Sequence, residues 1–188
     1  MKVILFCQNN YSFGILDPIK EALIAKKYSF IWYVAGKILT DFPFKKDNYT
    51  TKISDLLEFQ SDVIFVPGNA VPHYLKGLKV QIFHGLAGEK KGHFRIRHYF
   101  DLYLTQGPHF TSKFLALKEK YKDFNVEETG WPKLDVYAKN SKMIAQEKAL
   151  LLQSYEVKKI ILYAPTFSPK LTSAPDLLPH IEKLAQNL

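Results

Sequence analysis

Hydrophobic positions along this chain fall into short runs separated by polar breaks. Residues 2–7 read Lys-Val-Ile-Leu-Phe-Cys and stop at Gln8-Asn9-Asn10-Tyr11. A brief apolar run bounded by polar residues predicts a buried strand. The pattern then changes period. Asp17 and Pro18 have the chemistry of a helix cap and first helical residue, and Ile19, Ala22 and Leu23 supply an apolar face through about Tyr28. Residues 29–35, rich in Ile, Trp, Tyr and Val, predict a second strand, whereas residues 36–46 give no clear period. A short strand over 49–53, a short helix over 55–59 and a strand over 62–66 follow, the last ending in Pro67-Gly68-Asn69.

Residues 79–83, flanked by Leu78, predict the next strand, ending at His84-Gly85. Residues 101–105 predict another, ending at Gln106-Gly107. From Pro108, Phe110, Phe114, Leu117 and Tyr121 recur at spacings of four, three and four, with Lys113, Lys118, Lys120 and Lys122 largely off that face. This is the pattern of a core-packing helix with a solvated basic side; a helix lying on a membrane surface is the other reading. Residues 125–129 close the series as a strand.

Strands alternating with helices predict a parallel sheet covered by helices on both faces, an α/β, Rossmann-like architecture. Such sheets bind ligands beyond the carboxyl ends of their strands. Gln8-Asn9-Asn10, Gly68-Asn69, His84-Gly85 and Gln106-Gly107 are therefore expected on one rim. No glycine-rich dinucleotide fingerprint follows the first strand, and no P-loop occurs.

Gly130-Trp131-Pro132 interrupts the alternation. A helix over 141–155, a fully buried strand over 159–164 (Lys-Ile-Ile-Leu-Tyr-Ala) and a last helix carrying Leu177, Ile181 and Leu184 are then expected. One strand and two helices are too little for a sheet of their own. The division expected is a Rossmann-like domain over 1–138 and the beginning of a second, incomplete domain over 139–188. The chain is then a fragment, or it completes that sheet with another chain.

Composition adds bounds. The 188 residues are 47% hydrophobic and 14% aromatic, which suits a packed core and not a disordered chain. No apolar run has the length of a membrane span, and the amino terminus lacks a signal-peptide pattern, so a cytoplasmic protein is expected. Cys7 is the one cysteine, which excludes an internal disulfide and a cysteine metal cluster. His73, His109 and His180 lack ligand-like spacing, so no metal site is expected. The net charge of +8 suits phosphates, anionic headgroups or nucleic acid, but no nucleic-acid module is legible.

The chemistry concentrates at Gln81-Ile82-Phe83-His84-Gly85, followed by Gly88, Lys90, Lys91 and Gly92. A histidine past a strand's carboxyl end, followed by flexible backbone and two lysines, suits proton transfer beside a phosphate. Downstream, His93, Arg95, Arg97 and His98 interleave with Phe94, Ile96 and Tyr99, a basic stretch that suits an anionic membrane surface or an ordinary solvated face.

Three segments, in order, carry a family resemblance: Gln81-x-x-His84-Gly85; Gly130, Pro132 and Asp135; and Ile-Leu-Tyr-Ala-Pro-Thr over 161–166. Together they resemble the CDP-glycerol glycerophosphotransferase family, which builds teichoic acids and related capsule polymers. The similarity covers roughly residues 60–168. It implies the amino-terminal lobe of a GT-B-type two-lobed fold. It also implies transfer of glycerol phosphate, or a related polyol phosphate, from CDP-glycerol to a lipid-linked or glycerophosphate-polymer acceptor, without a cofactor and without nucleic acid. His84 is then the candidate catalytic base. Gly85, Lys90, Lys91 and Thr166 are candidate substrate-binding residues, joined by Asn9, Asn10 and Asn69 from topology. A lipid-linked acceptor implies peripheral association at the inner face of the cytoplasmic membrane. The family usually places arginine where Ser168 follows Phe167, and most of its carboxyl-terminal, donor-binding lobe lies outside these residues; the 188 residues alone are expected to be inactive. A UDP-sugar glycosyltransferase, a UDP-N-acetylglucosamine 2-epimerase-like enzyme and a non-catalytic basic binding lobe are the alternatives.

Overall fold

The computed structural model describes residues 1–86, 92–166, 168–170 and 172–185. They fall into two compact units, 1–138 and 139–188.

The first unit is built on a seven-stranded sheet: β1 (Lys2–Cys7), β2 (Ser29–Val34), β3 (Tyr49–Thr50), β4 (Val63–Val66), β5 (Leu78–Gln81), β6 (Leu102–Thr105) and β7 (Asn125–Glu128). All neighbours pair in parallel, in the order β3-β2-β1-β4-β5-β6-β7. This is a Rossmann-like, doubly wound α/β fold. The order reverses between β1 and β4, so the crevice of such a sheet opens there.

Side-chain alternation along the strands creates two cores. Ile4 and Phe6 of β1 face one side with Ile31, Ile64, Val66 and Tyr103. Leu56 of α2 (Ile53–Phe59) and Phe114 of α3 (Pro108–Tyr121) cover that side. Val3, Leu5 and Cys7 face the other side with Trp32, Val34 and Val80, under Phe13, Ile15, Leu16 and Leu23 of α1 (Phe13–Ala25). Burial pushes the Cys7 thiol far above its ordinary pKa, so it is an inert packing group. In α3, Phe114 is fully buried and Lys118 bonds to Asn125, the arrangement of a core-packing helix with a basic outer side.

Two glycines permit close approaches. Gly77 enters β5 at φ +105°, and a Cβ there would lie 2.6 Å from the Ser61 carbonyl. A Cβ on Gly68 would lie 3.2 Å from the Gln8 side chain, so the loops after β1 and β4 approach closely.

Three local expectations are corrected. Asp17 and Pro18 do not open the first helix; it begins at Phe13, and Pro18 lies inside it. Burial of Phe13, Ile15 and Leu16 on the sheet holds the first turn. The proline then forfeits one hydrogen bond near the helix start, a smaller cost than losing those contacts. Asp17 pairs instead with Lys20 at 2.8 Å. Leu78 opens β5 but is not buried; it is 57% exposed, whereas Lys79 and Gln81 are buried in the same strand. Polar groups are tolerated there because Lys79 bonds to the Leu75 carbonyl and Gln81 to the Gly68 carbonyl.

The third correction concerns the second unit. It contains α5 (Ser141–Ser154) and α6 (Ala174–Ala185), while α4 (Asp135–Lys139) spans the boundary. Residues 159–164 form no strand, and Leu162 is 86% exposed. An apolar β-prone run becomes a strand only where a neighbour accepts its ladder, and none among the described residues does so. The apolar side of α5 is likewise uncovered, with Ile144, Leu151 and Tyr155 exposed. No described helix is long and apolar enough to cross a membrane.

Candidate functional site

β5 delivers the site. It runs buried through Gln81, Ile82 and Phe83 and then turns sharply, because Phe83 takes a left-handed φ of +56°. Continued alternation would return His84 to the sheet's α1 side. The left-handed residue breaks that alternation just past β5 and leaves the Phe83 ring inside and the His84 imidazole exposed.

The turn is fixed by side chains from distant sequence. The His84 Nδ1 lies 3.1 Å from the Pro67 carbonyl oxygen beyond β4. A carbonyl only accepts, so Nδ1 carries the proton in this bond. The neutral ring then presents Nε2 as its basic nitrogen. Gln106, beyond β6, donates to the Gly85 carbonyl at 2.8 Å. Trp131 donates its indole N–H to the Phe83 carbonyl at 3.4 Å. Tyr11 stacks on the imidazole with ring centres 4.8 Å apart.

That stack joins the loop after β1 to the loop after β5. Asn9 donates to the Tyr11 hydroxyl at 3.0 Å and accepts from Lys37 at 3.0 Å. Asn10 instead donates to Asp41 at 2.6 Å, which engages one of its amide hydrogens. Asn69 accepts from Gln81 at 3.0 Å through Oδ1, and its carbonyl accepts from Tyr99. The strand ends after β1, β4, β5 and β6 therefore meet on one rim. Thr166 lies in the second unit, exposed, with its hydroxyl accepting from the Ser168 N–H. Lys90 and Lys91 lie outside the described residues.

His84, His93 and Arg97 line a cavity of about 500 Å³, with Asn69 and Gly85 beside them. The basic stretch thus divides. Phe94, Ile96 and Tyr99 pack against the core. His98 pairs with Asp123 at 2.6 Å. His93 and Arg97 turn toward His84, a placement that the alternating pattern of 93–99 does not reveal. Tyr11 was also not distinguished by sequence, since nothing in Gln8-Asn9-Asn10-Tyr11 specifies a stack across the sheet. Among the described residues, no group of three or more His, Cys, Asp or Glu is placed to hold a metal ion.

The His93 ring stacks on Phe83 at 4.8 Å and touches Phe94 and Phe110, each at 5.0 Å. Burial first, and the charge of neighbouring His84 second, push its pKa down to about 4 from the ordinary 6.5. As pH falls, the unfolded chain takes up the His93 proton first, so stability is lost between about pH 6.5 and 4. After discounting for solvent reaching the half-buried ring, the loss is about 1–2 kcal/mol. The stability difference between wild type and His93→Phe, from urea titrations at pH 7 and pH 4, should shift by that amount in favour of the variant. A difference independent of pH rules out this account of His93.

No protein-family model matches the chain, and no curated protein matches it. Among solved structures, an imine reductase from Myxococcus stipitatus, a V8 variant in complex with NAD+, aligns at 14% identity with a TM-score of 0.36, over 82% of this chain. The aligned part is 62% of that enzyme, so this chain spans less than two thirds of its length.

Proposed function

We propose that this chain carries the acceptor-side lobe of a polyol-phosphate transferase resembling the CDP-glycerol glycerophosphotransferases, in the two-lobed GT-B arrangement. The reaction is transfer of glycerol phosphate from CDP-glycerol to a lipid-linked or glycerophosphate-polymer acceptor in teichoic acid or capsule synthesis. It takes place at the inner face of the cytoplasmic membrane. One observation carries this reading: His84 is held through Nδ1 by a backbone carbonyl, with Nε2 left basic beside a cavity free of carboxylates among its described lining residues.

In the proposed step, an acceptor hydroxyl oxygen attacks the phosphorus that bears the glycerol. A new P–O bond forms and the P–O bond to the CMP phosphate breaks. The hydroxyl proton passes to His84 Nε2, and CMP departs with the bonding pair on its phosphate oxygen. Tyr11 and the Pro67 carbonyl keep the imidazole in place during the transfer. The resemblance also suggests Lys90, Lys91 and Thr166 as substrate-binding residues.

The test uses the longest polypeptide of the reading frame that contains this sequence. It is supplied with CDP-glycerol and a glycerophosphate-primed lipid acceptor, and release of CMP is the expected result. Release of UDP from a UDP-sugar, with no CMP, assigns the protein to the sugar-nucleotide enzymes instead.

A further inference from the structure

Arg97 faces the cavity with no carboxylate partner among the described residues; its Nη1 donates to the Arg95 carbonyl at 2.9 Å. A guanidinium has five N–H donors, so this bond leaves others for a ligand. Two imidazoles, His84 and His93, line the same space, and no described Asp or Glu does. Gly85 and Gly92 contribute backbone without side-chain bulk. A cation would meet the guanidinium charge with no described carboxylate to offset it. A tetrahedral oxyanion would find a charged fork and imidazole groups in one cavity. A cavity of about 500 Å³ also exceeds the needs of one phosphate, so it admits the ester group attached to it.

We propose, building on the acceptor-side reading of this lobe, that the cavity lined by Arg97, His84 and His93 is a phosphate subsite for the terminal glycerol phosphate unit of the acceptor. Arg97 grips the phosphate, His93 walls it, and the unit's free hydroxyl is presented to His84 Nε2. This arrangement gives Arg97 a specificity role: an acceptor with a hydroxyl but no adjacent phosphate lacks the grip.

The probes are inorganic phosphate and glycerol 3-phosphate, titrated into the intact protein while the imidazole ring signals are followed by NMR. Signals of His84 and His93 should move together and saturate. Arg97→Gln should weaken both ligands by about 10–100-fold, the range for one charge-assisted hydrogen-bonding group. Lys118→Gln, which removes a similar charge bonded to Asn125, should leave binding unchanged. If Arg97→Gln does not fold, Arg97→Lys decides: the charge remains, the fork is lost, and affinity should still fall several-fold. Unmoved histidine signals, or wild-type affinity in a folded Arg97 variant, overturn the subsite. Saturable phosphate binding sensitive to Arg97, in a protein that releases no CMP, retains the subsite and removes the transferase reaction.

Discussion

Turnover of CDP-glycerol by the His84→Ala variant is expected to fall by about 10²–10⁴-fold, the contribution of a positioned general base. The magnitude follows from geometry as well as residue type. The Pro67 carbonyl fixes the Nδ1 proton at 3.1 Å, and Tyr11 stacks on the ring at 4.8 Å, so the basic nitrogen is oriented before substrate arrives. The loss should appear in turnover, because the histidine is proposed to act on the acceptor proton as the new P–O bond forms. The donor's KM should change little, since the resemblance assigns the cytidine to the other lobe. The imidazole is exposed, so its removal should leave the fold intact, and circular dichroism of the variant checks it. Near-normal CMP release by folded His84→Ala would remove the histidine from the chemistry.

Much of the sheet was legible in the chain because its strands are short and apolar and end in polar or glycine residues. Residues 2–7 and 29–35 predicted strands that became Lys2–Cys7 and Ser29–Val34, paired in parallel in full register. Local signals failed where tertiary packing outweighed them. Pro18 marks a helix start in sequence, yet the burial of Phe13, Ile15 and Leu16 extends α1 ahead of it. Residues 159–164 have strand chemistry, but a strand is defined by its neighbour, and that information does not reside in six residues. The candidate site divides in the same way. His84 stood out because a histidine after a buried strand is a local feature. Tyr11, His93 and Arg97 reach it through loop conformation, which no periodicity encodes. The link from Trp131 to the Phe83 carbonyl spans 48 positions and is equally invisible in the sequence.

Phe83→Ala is expected to destabilise the first unit by about 3–5 kcal/mol, the usual cost of removing a fully buried phenylalanine ring. The ring is 3% exposed and packs on His93 at 4.8 Å, Phe114 at 5.2 Å and Tyr103 at 6.1 Å. Its loss leaves a cavity bordered by three rings that are themselves held by the sheet and α3, so collapse is limited. The backbone adds a second, separable effect. Phe83 sits at φ +56°, a conformation that disfavours any Cβ by about 1–2 kcal/mol. Alanine keeps that strain and glycine relieves it. Phe83→Gly should therefore be more stable than Phe83→Ala by about 1 kcal/mol, the reverse of the order expected in an ordinary strand. Urea unfolding of the three proteins, followed by circular dichroism, reads both numbers. A Phe83→Ala loss below about 1 kcal/mol, or a glycine variant weaker than the alanine one, would show that the ring and the left-handed turn do not hold this corner. If they do hold it, the strain has a use: the same residue that anchors the core turns the next one, His84, out of the sheet and over the cavity.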